Sequence, residues 1–325
     1  MHLKPLKRLL NSPENTMREL LLPTAHAYGA EVFPKVGVKD VLPIENSNIS
    51  DAWFSYALKA HFDLLVTSER LEPLFAVEFD GPSHGSDPTV DRRDQLKDGL
   101  CNRFGLPLAR ILDQHIKSRT DKVSYMAWIA ELYFASVALN KAQQAGIIPS
   151  DEPLDPMSLV AIPHLEDRFP LWISRESIRQ FSTYGEQGLL GAKGPQVFSG
   201  ISEDGSALAL AVVPTKDGSM CLAAGTRLKL QGFMLAETDA AEEIAVTMLA
   251  KKAEKHLTGN RRLARKWSWF HDILIKMVNR CREVAFFGQG GLFGFQIQCE
   301  YKSGGWDYTI SCGGTDTRIT KDDRI

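Results

Sequence analysis

The sequence is short of every feature that marks an extreme protein class. Five cysteines stand among 325 residues (Cys101, Cys221, Cys281, Cys299 and Cys312), odd in number, scattered and without a Cys-x-x-Cys spacing. That spacing argues against a disulfide framework and against a structural zinc site, and it fits a reducing cytoplasm. No apolar run reaches the roughly 18 residues that a membrane span requires, so no membrane association is expected. The early lysines are followed by Leu9-Leu10 and at once by Asn11-Ser12-Pro13-Glu14, which does not read as a signal peptide. Neither sign of charge dominates: 38 Lys and Arg oppose 40 Asp and Glu, a net charge of −2. A global basic signal for nucleic acid is therefore missing, although a local basic face is enough to engage phosphates. There is no internal repeat.

What remains is ordinary soluble composition, 44% hydrophobic and 24% charged. The length accommodates two domains at roughly 150 residues each. The clearest break is Pro149-Ser150-Asp151-Glu152-Pro153-Leu154-Asp155-Pro156, where three prolines among acids resist regular structure. We therefore expect a first domain over 1–148, a linker over 149–156 and a second, smaller α+β domain over 157–325.

The first half alternates in the α/β manner. Ser12 reads as the cap of a first helix with Pro13 in its first turn, and Leu10, Glu14, Met17 and Leu21 then share one helical face. Glu31 to Val36 reads as an edge strand because of Pro34. Two further strands, His61 to Val66 and Leu74 to Asp80, suit a hairpin. A charged helix from about Val90 to Arg103 follows, then a strand over Leu106 to Ile111 and a helix over 121–145.

Carboxylates interrupt the two central strands. Burying an ionised carboxylate costs roughly several kcal/mol unless something compensates it. Side chains alternate along a strand, so Glu78 and Asp80 face one way while Val77 and Phe79 face the other. Two acids on one face, with Asp63 on a neighbouring strand, ask for a cation; the hard-cation answer is Mg²⁺ or Mn²⁺. A metal-dependent phosphodiesterase is the leading expectation. His84, in the Gly81 to Ser86 break, has the side-chain chemistry of a general acid or base near neutral pH, or is a turn residue.

With these residues in order, the first half resembles the PD-(D/E)XK, or restriction-endonuclease-like, nuclease superfamily. Residues of about 9–112 resemble in particular the family called DUF2726, related to the very-short-patch repair endonucleases. The elements that carry the resemblance are Ser12-Pro13-Glu14, Val36 to Leu42, His61-Phe62-Asp63-Leu64-Leu65, Val77 to His84, Arg93 to Asp98, and Gly105-Leu106-Pro107-Leu108. The resemblance implies an αβββαβ core and a nuclease acting on nucleic acid, DNA rather than RNA, in repair, restriction or defence. It implies Asp63 and Glu78 as ligands of Mg²⁺ or Mn²⁺, joined by Glu14 from the first helix, with Glu19 as the alternative helix acid. The motif's lysine belongs two residues after Glu78, where this chain has Asp80. Lys97, three residues after Asp94 on the next helix, is the natural substitute; the same spacing also suits a plain helix ion pair. The departure at Asp80 leaves open a non-cleaving nucleic-acid-binding or interaction protein on a degenerate nuclease fold.

The second half has one dense basic cluster: Lys251, Lys252, Lys255, His256, Arg261, Arg262, Arg265 and Lys266, beside Trp267 and Trp269. Such a cluster can grip a phosphate backbone and stack bases, or be a solvated helix face. The domain is expected to recognise substrate or a protein partner. The glycine-rich run Gly288 to Gly294 precedes a strand, so it lacks the helix-opening context of a phosphate loop and reads as a turn.

Overall fold

A computed structural model describes residues 9–80, 88–112, 119–120, 123–151, 172–233, 235–287, 295–302, 305–312 and 315–322. The chain is mixed α/β and divides into two compact units, Met1–Leu171 with Leu228–Ala236, and Trp172–Arg227 with Glu237–Ile325. Most of the expected linker, from residue 152 onward, lies outside the described residues, as do His84 and the run from Gly288 to Gly294.

In the first unit, helix α1 (Ser12–Ala27) opens with a capping box. The Asn11 side chain accepts from the Glu14 backbone N–H, and the Glu14 carboxylate accepts from that of Asn11. The cap is thus Asn11 and not Ser12, because only a residue three before Glu14 closes that reciprocal pair. Strand β1 (Ala30–Gly37) follows, then two short helices, α2 (Val38–Val41) and α3 (Asp51–Ala57). Strands β2 (His61–Ser68) and β3 (Pro73–Asp80) form the expected antiparallel hairpin, with Leu64 opposite Val77. Helix α4 (Pro88–Phe104) is the crossover to β4 (Leu108–Leu112), which runs parallel to β3. Gly105, at φ +70°, ends α4; its N–H reaches the Asn102 carbonyl and that of Leu106 reaches Cys101, a left-handed cap that glycine adopts without strain.

Two short strands, β5 (Arg119–Thr120) and β6 (Val123–Ser124), precede helix α5 (Tyr125–Gln144). Around the sheet, Val38, Leu42, Ile44, Ala57, Leu65, Ala76, Leu100 and Leu108 form one buried cluster. Elsewhere, α5 brings Tyr133 and Phe134 onto Phe75, and Tyr28 at the end of α1 stacks on Phe134 at 4.3 Å. The last strand of this unit comes from far along the chain: Leu228–Gln231, the end of a strand in the second half, pairs antiparallel with β4. Strand β1, with its proline, stands at the other edge, as the sequence suggests.

In the second unit, helix α6 (Arg175–Glu186) precedes strands β7 (Gln196–Ser202), β8 (Ala207–Pro214) and β9 (Met220–Gln231), β9 continuing into the first unit from Leu228. The apolar run Cys221 to Ala224 and the alternating run Arg227 to Leu230 thus lie in one continuous strand. Helix α7 (Glu237–Leu257) follows. A 3-10 turn at Arg261–Leu263 and strand β10 (Arg265–Lys266), paired with Cys221 and Met220, then precede α8 (Trp267–Arg280). Ala264 before this helix is extended, and Trp267 at its start donates its indole N–H to the Gly218 carbonyl. Strand β11 (Cys281–Phe287) pairs with β7, and β12 (Phe295–Lys302), β13 (Gly305–Cys312) and β14 (Thr315–Asp322) form a separate antiparallel sheet. Phe198, Leu210, Phe270, Leu274 and Val278 fill the core under α8.

Candidate active site

Register brings the strand acids together before any side-chain geometry is considered. Leu64 lies opposite Val77, so Asp63 and Glu78 are cross-strand neighbours; Glu78 pairs with Arg110 of β4, and Asp80 with Leu112. Alternation therefore places Asp63, Glu78, Asp80 and Arg110 on one face of the sheet. On the other side of β2, β1 suspends its pairing at one residue, Lys35, between the pairs Pro34 with Leu64 and Val36 with Phe62. Lys35 has φ +55°, a left-handed conformation unusual for a side-chain-bearing residue.

Five elements converge here. Glu14, from the capped end of α1, is buried and accepts from Lys35 Nζ at 2.9 Å. The same ammonium donates to Asp63 Oδ1 at 2.6 Å. Asp63 Oδ2 accepts from the Phe79 backbone N–H at 2.9 Å, and Glu78 Oε1 lies 3.3 Å from the Asp63 backbone nitrogen that donates to it. Lys97, on α4, is buried; its ammonium meets Glu78 Oε2 at 2.6 Å and donates to the His61 carbonyl at 2.9 Å. Three carboxylates thus share two ammonium groups in a space closed to water on most sides.

A second knot adjoins the first. Arg110, 5% exposed, donates to both Asp94 and Asp80 at 3.1 Å, and to Asp98 from Nε at 2.9 Å and Nη2 at 2.7 Å. Lys229 adds a bond of 2.7 Å to Asp98. Asp80 is thereby engaged with a buried guanidinium of the next strand.

The electrostatics follow the burial. Loss of solvent pushes the Glu78 carboxyl up to about 7; Lys97 opposes this and the Asp63 charge adds to it. Burial works to lower the Lys35 ammonium, but its bonds to Asp63 and Glu14 outweigh that and leave it raised. His61, at the head of β2, is lowered by burial and then by the Lys35 and Lys97 charges. Burial also lifts the Cys101 thiol to about 12, with Glu78 and Asp98 adding, so it is no nucleophile at neutral pH.

The structure brings Glu14, Asp63, Glu78 and Lys97 together and draws Asp80 and Asp94 to Arg110. Glu19, the alternative helix acid, is exposed and bonded to Asn15. Two partners escaped the sequence reading. Arg110 had a signal, since an arginine inside the apolar strand Leu108-Ala109-Arg110-Ile111-Leu112 demands acids. Lys35 had only its register opposite Asp63, which a sequence does not state.

The donor set Glu14, Asp63 and Glu78 has the oxygen chemistry that Mg²⁺ or Mn²⁺ selects. Among the described residues no three carboxylate, imidazole or thiolate groups are already disposed around one point as ligands. The Lys35 ammonium lies between two of the three carboxylates.

In the second unit the basic residues split into two kinds. Lys255, Arg261, Arg262, Arg265 and Lys266 are exposed, and the Arg265 guanidinium lies 5.9 Å from the ring centre of the partly exposed Trp269. Lys252 instead turns inward and donates to the Ala223 carbonyl at 2.7 Å; its pKa is lowered by burial and by Arg265. Lys251 is half-buried, and buried His256 faces Arg261 at 3.2 Å. Among the described residues no helix is long and apolar enough to cross a membrane.

The family model described as "Protein of unknown function (DUF2726)" matches residues 6–127, a span that holds both charged knots apart from Lys229. No curated protein and no solved structure matches the chain.

Proposed function

We propose that the first unit is a divalent-metal-dependent phosphodiesterase of the PD-(D/E)XK type, hydrolysing nucleic acid, with DNA as its substrate. The observation that carries this reading is that Glu14 and Asp63 close on one ammonium, Lys35, while Glu78, on the strand beside Asp63, meets a second, Lys97. Folding alone gains little from such a cluster, because apolar residues of similar volume are generally as stable or more so.

In this reading Asp63, Glu78 and Glu14 hold Mg²⁺ or Mn²⁺, which supplies a lowered water pKa and charge neutralisation at the phosphate. Phe79 N–H and the Asn11 cap fix the Asp63 and Glu14 carboxylates in advance. Lys97 supplies the positive charge that the family motif carries two residues after its second acid, and it holds Glu78 in place. Asp80 belongs to the framework through Arg110. His84 is the general acid or base of this reading. The exposed basic residues of the second unit, from Lys255 to Lys266, hold the phosphate backbone, and Trp269 stacks on a base.

The test is cleavage of plasmid and single-stranded DNA with Mg²⁺ or Mn²⁺ by wild type, Asp63→Asn and Glu78→Gln. Metal-dependent cleavage abolished by both changes is the expected result. Activity that survives both would refute the site. No cleavage, with DNA binding retained and no metal uptake, would favour the non-cleaving binding protein.

A further inference from the structure

The residue that stands where the reading above needs a metal is Lys35. Its ammonium joins Glu14 Oε1 at 2.9 Å to Asp63 Oδ1 at 2.6 Å, so two carboxylates from different elements close on one lysine. The two lysines of the site are held very differently. Lys97 is 9% exposed, donates to the His61 carbonyl and lies over the Phe62 ring, a fixed berth that is independent of its carboxylate. Lys35 is 23% exposed and its hydrogen bonds run to the two carboxylates. Its long stem gives it a short path to water.

The carboxylates do not depend on Lys35 for their placement. Glu14 is held by the backbone N–H and side-chain amide of Asn11, and Asp63 by the Phe79 N–H. If the ammonium left, both would stay aimed at the space it vacates. The site therefore combines fixed donors with one movable cation.

We propose that Lys35 is a tethered cation which closes the Glu14–Asp63 pair in the metal-free protein and is displaced into solvent when a divalent ion binds. The proposal rests on the reading of this site as a metal site. It lets the acidic cluster fold before metal arrives, since Glu14 and Asp63 without a cation would repel each other in a poorly hydrated space. It also makes uptake an exchange: the ion must outcompete the lysine for both carboxylates, which sets a threshold on the metal concentration that loads the site.

The experiment is Mn²⁺ binding, by calorimetry and by the loss of the free-ion electron paramagnetic resonance signal, at fixed pH and salt. Wild type, Lys35→Gln and Lys35→Arg are compared, with Asp63→Asn as the control that removes a ligand. Lys35→Gln is expected to bind Mn²⁺ about tenfold more tightly than wild type, equivalent to about 1.4 kcal/mol. Lys35→Arg is expected to bind no more tightly than wild type. In EDTA, Lys35→Gln should melt below wild type and recover in Mn²⁺ by more than wild type gains.

If wild type binds Mn²⁺ and Lys35→Gln binds equally or more weakly, the exchange is wrong while the metal site stands. If neither binds and Asp63→Asn behaves like both, the exchange and the metal reading fall together. Should Lys35→Gln not fold in EDTA, Mg²⁺ titration of wild type with ¹³C-labelled lysine decides the point. One lysine ε-carbon signal moving to a solvent-exposed position supports displacement; static lysine signals at metal saturation overturn it.

Discussion

Replacing Arg110 with methionine keeps most of the stem volume and removes the charge that three aspartates share. The cost can be worked from the contacts. Arg110 is 5% exposed and makes four side-chain hydrogen bonds to Asp80, Asp94 and Asp98. Removing one partner of a buried ion pair costs about 3–5 kcal/mol, because the charge left behind is poorly solvated. Asp98 keeps its bond to Lys229, and Asp94 is 27% exposed and so partly screened, which puts the expected loss at the lower end, about 3 kcal/mol. For a unit of this size that is a fall in Tm of roughly 6–12 °C. Urea unfolding read by tryptophan fluorescence measures it, Trp53 and Trp128 reporting on the first unit. Adding Asp80→Asn should recover part of the loss, since the double change removes both the cation and a carboxylate that faced it. A loss below about 1 kcal/mol, or a double variant weaker than the sum of the single changes, would refute the picture of a desolvated clamp.

Two further outcomes are open to measurement. Glu78 titrates near 7 when folded and near 4.5 when unfolded, so between those values the folded state holds the extra proton. Its contribution is favourable below about 4.5 and is lost as pH rises through 7, so in EDTA the stability of Glu78→Gln relative to wild type should grow by up to ~3 kcal/mol across that window. Urea midpoints at a series of pH values test this, and a flat or falling difference would contradict it; the like-signed rise of Glu243 in the second unit cancels in the comparison. In the second unit, Lys252→Met should leave DNA affinity unchanged because its ammonium is spent on the Ala223 carbonyl, whereas Arg262→Ala should weaken binding and reduce the salt slope by about one. Fluorescence anisotropy against salt separates the two, and equal losses would mean that Lys252 also faces the nucleic acid.

The legible part of the fold was the part governed by local rules. The hairpin of β2 and β3, the charged helix α4 and the proline-bearing edge strand all follow from period, turn chemistry and caps. The acids were legible too, since carboxylates inside apolar strands are costly enough to demand a reason. Their partners were not. Which cation answers Asp63 depends on the register of β1 against β2, and which acids answer Arg110 depends on β3 and β4 running parallel. The basic cluster of the second unit was visible as composition, yet its division into outward residues and an inward Lys252 is set by the position of Ala223 beside α7.

The return of Leu228–Ala236 to the first unit gives this unit a late closing step. Lys229 completes the aspartate cluster, Gly232 approaches Pro107 closely enough that a Cβ there would lie 3.2 Å from its Cα, and Phe233 packs edge-on against Phe75 and Tyr133. On the ribosome, the segment that covers the open edge of β4 emerges only after residues 172–227 have been made. At roughly 5–20 residues per second, the nascent first unit carries an unsatisfied strand edge for several seconds. A fragment ending in the linker keeps that edge for good, so expression of the first half alone should yield a protein that self-associates through β4.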